Sequence, residues 1–277
     1  MRVKVVRVRD ALTPSGLPDI DWALNPYLGC YHSCIYCYGR LYVKDAEVAS
    51  SWGDIVVVKE NVVDALRRDV RSRRSGVVGV GTITDAYQPV EAKYGLTRRS
   101  LEVLLSSGFR VSIQTKSTLV LRDADLLSRY RGRVDVGFTI TTMDRGIAGF
   151  LEPRAPPPRA RADALARLRE LGIDTWVFLG PIVPGVTDSL ELIEEVVEVA
   201  EAANSPMYYD KLRVKGFMLS PDHPLYPHAV KALRYRWGNL FTSIESICRK
   251  HGVRCEFGFS YGNAPSPSKG LTRFANG

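Results

Sequence analysis

The stretch Asn25-Pro26-Tyr27-Leu28-Gly29-Cys30-Tyr31-His32-Ser33-Cys34-Ile35-Tyr36-Cys37-Tyr38-Gly39-Arg40 packs three cysteines into eight residues of a chain that has five. At this CxxxCxxC spacing three thiolates on one compact loop can ligate three irons of a 4Fe-4S cluster, leaving the fourth iron without a protein ligand. An open iron is a reactive one. A structural zinc site wants a fourth Cys or His from a second close pair, whereas Cys248 and Cys255 are remote and spaced by seven. His32 lies between two of the ligands, where the backbone is already heavily used, so zinc is the lesser reading. Gly29 and the surrounding tyrosines read as a loop and not as an apolar core, which argues against purely structural thiols.

The 277 residues, 45% of them hydrophobic, suit one large α/β domain with a sizeable core. We expect a single domain over 1–262, with an N-terminal extension strand in 1–21, a barrel core in 22–220, a closing helix and strand in 221–262, and a flexible tail in 263–277. No apolar run is long enough to cross a membrane, and the N-terminus alternates charge with valine instead of building a leader. A cytoplasmic protein with no membrane partner is the expectation, since thiols stay reduced there. The formal net charge of +8 permits an acidic partner such as DNA or RNA. The one local cluster, Arg67-Arg68-Asp69-Val70-Arg71-Ser72-Arg73-Arg74, is equally well explained as a solvated helix face.

Apolar β-branched runs alternate with amphipathic stretches along the chain, the pattern of a parallel sheet covered by helices. Strands are expected over 3–8, on the approach to Cys30, and over 77–83, 110–114, 134–141, 173–179, 212–219 and 253–259. Helices are expected over 62–73, 96–106, 123–130, 161–171 and 229–250, with a further one opening at Asp188 through a capping box with Glu191. Six strand-helix repeats after the cysteine loop predict a partial (βα)6 barrel of TIM type, though a doubly wound sheet has the same count. Pro153 to Pro158 cannot be helical and reads as a stiff loop.

In such folds ligands gather at the C-terminal ends of the strands, and four of these ends are polar. Thr84 and Asp85, in Gly81 to Glu91, suit an ammonium group, although turn capping explains the same residues. Lys116 points a cation at the mouth, fit for a carboxylate or phosphate. Thr139 and Thr141 share one face at period two, as hydroxyl contacts to a sugar or as ordinary strand residues. The Gly180 to Gly185 turn can bring backbone close to a planar ring, or simply join strand to helix.

Taken together, NPYLGCYHSCIYCYGR, GTITDAYQPVE, IQTKSTLVLRD, TITTMD, LEPRAPPP and LGPIVPGVTD resemble the radical S-adenosylmethionine (SAM) superfamily. Within it they resemble the subgroup of spore photoproduct lyase and related DNA-repair proteins, over roughly residues 22 to 190. The resemblance implies a partial (βα)6 barrel, a 4Fe-4S cluster on Cys30, Cys34 and Cys37, and SAM chelated at the open iron. One electron then cleaves SAM to methionine and a 5'-deoxyadenosyl radical that abstracts hydrogen. It further implies SAM contacts from Lys116, Thr84 and Thr141, a hydrogen-atom relay through Tyr36 and Tyr38, and an electron donor such as ferredoxin or flavodoxin.

One departure bears on the substrate. The cysteine that quenches the product radical in spore photoproduct lyase has no counterpart between Val77 and Glu91, which sets repair of the spore thymine lesion in doubt. Cys248 and Cys255 read as buried small hydrophobes, or as a disulfide in a hyperthermophile. A nucleic acid, a protein or peptide, or a small molecule are the substrate classes left open. The competing class is a non-enzymatic cluster or zinc protein that binds nucleic acid. Such a protein has no need of the polar strand ends.

Overall fold

Valine- and isoleucine-rich runs bounded by glycine form the strands of a computed structural model that describes residues 1–258. The strands are β1 Arg2–Val6, β2 Leu12–Pro14, β3 Trp22–Leu24, β4 Tyr27–Leu28, β5 Ile55–Lys59, β6 Val77–Val80, β7 Arg110–Thr115, β8 Val134–Thr139, β9 Asp174–Ile182, β10 Met207–Lys211 and β11 Cys255–Phe257. The large sheet has the order β2-β3-β6-β7-β8-β9-β10-β11. All its neighbours are parallel except β2, which runs antiparallel to β3 at the edge. This is the α/β partial barrel expected from the alternation, in which each parallel connection carries a helix back over one face. The tail expected over 263–277 lies outside the described residues, as does the end of the strand expected at 259.

Alternate burial shows which face the helices cover. On β7 and β9, Val111, Ile113, Val177 and Leu179 are buried in one core with Leu101, Leu104, Leu165, Leu168 and Val196 of the helices. Ser112, Gln114, Trp176 and Phe178 take the opposite, partly open face. The polar strand ends therefore belong to the concave side, where the mouth forms.

A second sheet, β1-β5-β4, was not foreseen as a unit. The approach to Cys30 splits: β3 joins the barrel, while β4 pairs antiparallel with β5, and β5 lies parallel to β1. The cysteine loop thus leaves from between two sheets. Gly29 makes that exit possible, with φ +75° and a backbone so close to β5 that a Cβ would lie 2.4 Å from the Ile55 carbonyl oxygen.

The C-terminal third departs most from expectation. The strand is Met207–Lys211, and 216–219 is instead a short 3-10 turn, Gly216–Leu219. The single helix expected over 229–250 is two, Tyr226–Leu233 and Trp237–Lys250. At the break Tyr235 donates to Asp188 Oδ2 at 2.7 Å and packs on Trp237 at 4.7 Å between ring centroids. Asp188 does not cap the helix Leu190–Ala202. Its carboxylate also accepts from Gly185 N at 2.6 Å, and Ser189 Oγ takes the cap, accepting from Leu192 N at 3.3 Å. No helix among the described residues is long and apolar enough to cross a membrane.

Candidate functional site

The cysteine loop follows β4 directly. Cys30 and Cys34 are buried and Cys37 half-buried, and all three are free thiols. Two tight turns shape it, with Ser33 N donating to Cys30 O at 3.2 Å and Cys37 N to Cys34 O at 3.1 Å. Burial pushes all three thiols up: Cys30 well above its ordinary value, where Asp85 adds to the effect, Cys34 to about 12, and Cys37 in the same direction. Three buried thiols become thiolates readily only when a metal supplies the positive charge. Among the described residues no three His, Cys, Asp or Glu side chains gather around a point that one ion could occupy.

The turn after β6 clamps one side of the loop. Gly81, at φ +84° and with Thr84 O 2.9 Å from where a Cβ would stand, folds the chain back sharply. Thr84 Oγ1 then donates to Gly29 O at 2.6 Å, while Gln88 Nε2 donates to Gly29 O at 3.0 Å and to Thr84 Oγ1 at 2.9 Å. Gln88 Oε1 accepts from Tyr31 N at 2.9 Å. Asp85 is buried and takes Thr115 Oγ1 at 2.7 Å, Tyr87 N at 2.9 Å and Lys116 N at 2.8 Å, with His32 Nδ1 at 3.3 Å. Burial alone would raise this carboxyl, but His32 and the converging donors outweigh it and hold it down at about 2. Thr84 and Asp85 are accordingly engaged within the protein, gripping the loop from the barrel side.

The segment after the helix Arg145–Leu151 clamps the other side. Ile35 N donates to Leu151 O at 3.0 Å and Arg154 N to His32 O at 3.3 Å, and Arg154 Nη1 reaches Gly53 O at 2.8 Å. Between them Glu152 is buried, accepting from Tyr36 Oη, ion-paired with Arg161 and 3.8 Å from Lys116 Nζ. Burial raises the Glu152 carboxyl, but Arg161 and Lys116 prevail and hold it below its ordinary value. Arg161 is itself buried and donates to Pro156 O at 2.7 Å and Thr139 O at 3.0 Å, which fixes the proline-dense loop against the end of β8. The sequence reading weighs His32 only as a zinc ligand and does not single out Gln88, Glu152 or Arg161. Gln88 and Glu152 lie inside the quoted GTITDAYQPVE and LEPRAPPP segments, next to the residues that are weighed there, and Arg161 lies three residues past the second.

The remaining expected residues divide. Lys116 stands 5.6 Å from the centre of the Tyr36 ring; burial works against its charge, but Cys34 and Glu152 raise it above its ordinary value. Thr139 Oγ1 accepts from Gln114 Nε2 at 3.1 Å. Thr141 Oγ1 is buried and finds no hydrogen-bond partner among the described residues, an unusual expense in a folded chain. Tyr36 has its hydroxyl committed to Glu152, whereas Tyr38 is exposed, donates to Thr82 O at 2.6 Å and meets Tyr42 edge-on. Cys248 and Cys255 form a disulfide joining the helix Trp237–Lys250 to β11. They are therefore unavailable as thiols.

Three free thiols on one loop, a lysine beside them and an orphaned hydroxyl at a strand end, all at one end of a parallel partial barrel, define a cofactor-dependent α/β enzyme. The chain belongs to the radical SAM superfamily, whose model matches residues 24–203. It is 32% identical over 211 residues to an uncharacterized protein of Methanocaldococcus jannaschii, covering 76% of this chain and 78% of that one. Spore photoproduct lyase, in a variant with bound SAM and dinucleoside spore photoproduct, superposes with a TM-score of 0.66 at 14% identity, over 92% of this chain and 80% of that chain. A radical SAM methyltransferase from Sphaerobacter thermophilus gives 0.58 at 17% identity, over 94% and 72%. The family's cofactors are a 4Fe-4S cluster and SAM, and the free thiols and orphaned Thr141 hydroxyl fit them.

Proposed function

We propose that Cys30, Cys34 and Cys37 hold the cluster and that the protein uses SAM to abstract hydrogen from a nucleic-acid substrate bound at the barrel mouth. The observation that carries the first part is the loop of three free thiols gripped from two sides, with Lys116 alongside. Cys30, Cys34 and Cys37 would hold the cluster, which would supply the one-electron reduction of SAM on which the family's hydrogen-abstraction chemistry depends. The chain's own residues bind and orient. Lys116 Nζ takes the SAM carboxylate and Thr141 Oγ1 a ribose hydroxyl, the latter gaining the hydrogen-bond partner it lacks among the described residues. Thr84 and Asp85 act through the loop they hold. Of the two tyrosines near the last cysteine, Tyr38 suits a hydrogen-atom relay by its exposed ring, its hydroxyl donating to the Thr82 carbonyl, whereas the Tyr36 hydroxyl donates to buried Glu152. The single domain proposed over 1–262 carries the site within its described residues, 1–258, and an acidic ferredoxin or flavodoxin supplies the electron.

Anaerobic reconstitution followed by dithionite and SAM tests the chemistry. The protein should release 5'-deoxyadenosine; a yield no higher than that of the Cys30, Cys34, Cys37→Ala variant defeats the enzyme reading in favour of a passive cluster protein.

Two observations support nucleic acid. The net charge is +8, and Arg234 and Arg236, with Lys231 3.9 Å from Asp188, line an open cleft of about 830 Å³ beside the turn that follows β9. The arginines of the 67–74 run are less available: Arg67 pairs with Asp64 at 2.8 Å and Arg73 covers Trp22 at 5.1 Å. DNA retention should fall steeply with salt, with a log-log slope near −0.9 per phosphate contacted. Absence of binding to DNA and RNA at low salt moves the substrate to protein, peptide or small molecule.

A further inference from the structure

Glu152 is a carboxylate taken almost wholly out of water, 2% exposed, at the C-terminal end of a seven-residue helix. Such a group is tolerated only with close partners, because a buried charge costs several kcal/mol when unpaired. Its partners are unequal. Arg161, 1% exposed, closes an ion pair with it and spends further donors on Pro156 O and Thr139 O. Tyr36 donates its hydroxyl. Lys116 Nζ stands off at 3.8 Å, too far for a hydrogen bond, over the Tyr36 ring. Two cations thus share one carboxylate. The group carries a net positive charge, and the cation whose hydrogen bonds are not consumed by Glu152 is Lys116.

The backbone repeats the pattern. Lys116 N is fixed by Asp85, on the barrel side of the cysteine loop, while its ammonium faces Glu152 on the far side. Its root is therefore held by one buried carboxylate and its head drawn by another. Without Glu152 the head would keep Cys34 as an anionic neighbour but lose the carboxylate that offsets Arg161, a like charge in a low-dielectric setting, and would shift from its place at the mouth.

We propose that Glu152 is a positioning residue for Lys116: neutralised by Arg161 and braced by Tyr36, its carboxylate sets the place of the Lys116 ammonium, which is thereby presented to the carboxylate of SAM. This rests on the reading that Lys116 takes that carboxylate. Residues that orient a ligating group are commonly worth 10- to 100-fold in affinity, and their effect disappears once the group they orient is removed.

The test is a double-substitution cycle on SAM affinity, measured by equilibrium dialysis with the oxidised cluster and no turnover, on protein of matched iron content. Glu152→Gln should weaken SAM binding about tenfold. In a Lys116→Ala background the same substitution should change it less than about twofold. An equal loss in both backgrounds, or no loss with Lys116 present, overturns the proposal while leaving the role of Lys116 intact. A Lys116→Ala variant that binds SAM as well as the unaltered protein removes the reading of Lys116 and the proposal together, and that single variant shows it. Should Glu152→Gln fail to fold, Glu152→Asp keeps the charge and the Arg161 pair but withdraws the carboxylate by one methylene. It should show the same background-dependent loss, and its absence overturns the proposal.

Discussion

Two buried aspartates stand at opposite ends of the same barrel, and their chemistry diverges. At the C-terminal end Asp85 collects Thr115 Oγ1, two backbone N-H groups and the His32 ring, and is held down at about 2. Towards the N-terminal end of the strands, Asp135 receives Ser112 Oγ and Trp176 Nε1, each at 2.7 Å and both on Oδ1, and burial pushes it up to about 6. Depth alone does not explain the contrast, since both side chains are buried. What differs is the His32 ring beside Asp85 and the larger number of donors aimed at its charge, whereas Asp135 has the like charge of Asp174 nearby. The end of the barrel that carries the cysteine loop is built to hold ionised groups in place. The other end merely accommodates one.

The largest effect should come from breaking the first site. Asp85→Ala removes the acceptor that joins the cysteine loop to Thr115 and Lys116, and should cost about 3 kcal/mol in denaturant unfolding together with much of the bound iron. An iron content and stability equal to the unaltered protein would show that the loop holds itself. The pH dependence follows from the depressed value: the Asp85 contribution is present above the unfolded pKa of about 3.9 and is lost as pH falls through about 2.

Asp135 should behave in the opposite sense. Its folded value lies above its unfolded one, so its contribution is full below about pH 3.9 and is lost as pH rises through about 6. Asp135→Asn keeps an acceptor for Ser112 and Trp176 without the charge. It should stabilise the protein by about 2 kcal/mol at pH 8 and give no gain at pH 4, read from thermal or denaturant unfolding at the two pH values. A destabilised variant at pH 8 would erase the distinction between the two ends.

A smaller effect separates binding from folding at the mouth. Thr141 Oγ1 is buried without a partner among the described residues, so Thr141→Val should leave the stability of the apoprotein unchanged or raise it slightly. SAM affinity should fall by about fivefold, the worth of one hydrogen bond. Unchanged affinity in equilibrium dialysis would take Thr141 out of the cofactor site.

Legibility in the sequence followed the locality of the forces. The helix at Leu96–Ser106 was found to the residue, because Gly95 and Gly108, both at positive φ, punctuate it from within the sequence. β5 was missed although Ile55 to Val58 is wholly apolar, since its partners are β1, some fifty residues earlier, and the two-residue β4. β10 was displaced because Asp210 and Lys211 interrupt its apolar pattern, with Asp210 serving a nearby ion pair to Arg213. The break in the C-terminal helix at Arg234 to Arg236 contains no Gly or Pro, although Gly238 follows it in the first turn of the next helix, and it is held by Tyr235 reaching Asp188, 47 residues away. At the site, the three cysteines of the loop are readable from their spacing, and Lys116 and the threonines as residue types at strand ends. Glu152 and Arg161 are not, for their pairing depends on how the proline loop turns back on the end of β8.

The central claim is an iron that the chain leaves open for SAM. Mössbauer spectroscopy of the anaerobically reconstituted, iron-57-loaded protein addresses it most directly. The account predicts a 4Fe-4S spectrum in which addition of SAM shifts one iron of the four, a shift that Lys116→Ala weakens. A spectrum that SAM leaves unaltered, or iron bound in a smaller or mononuclear form, would contradict it.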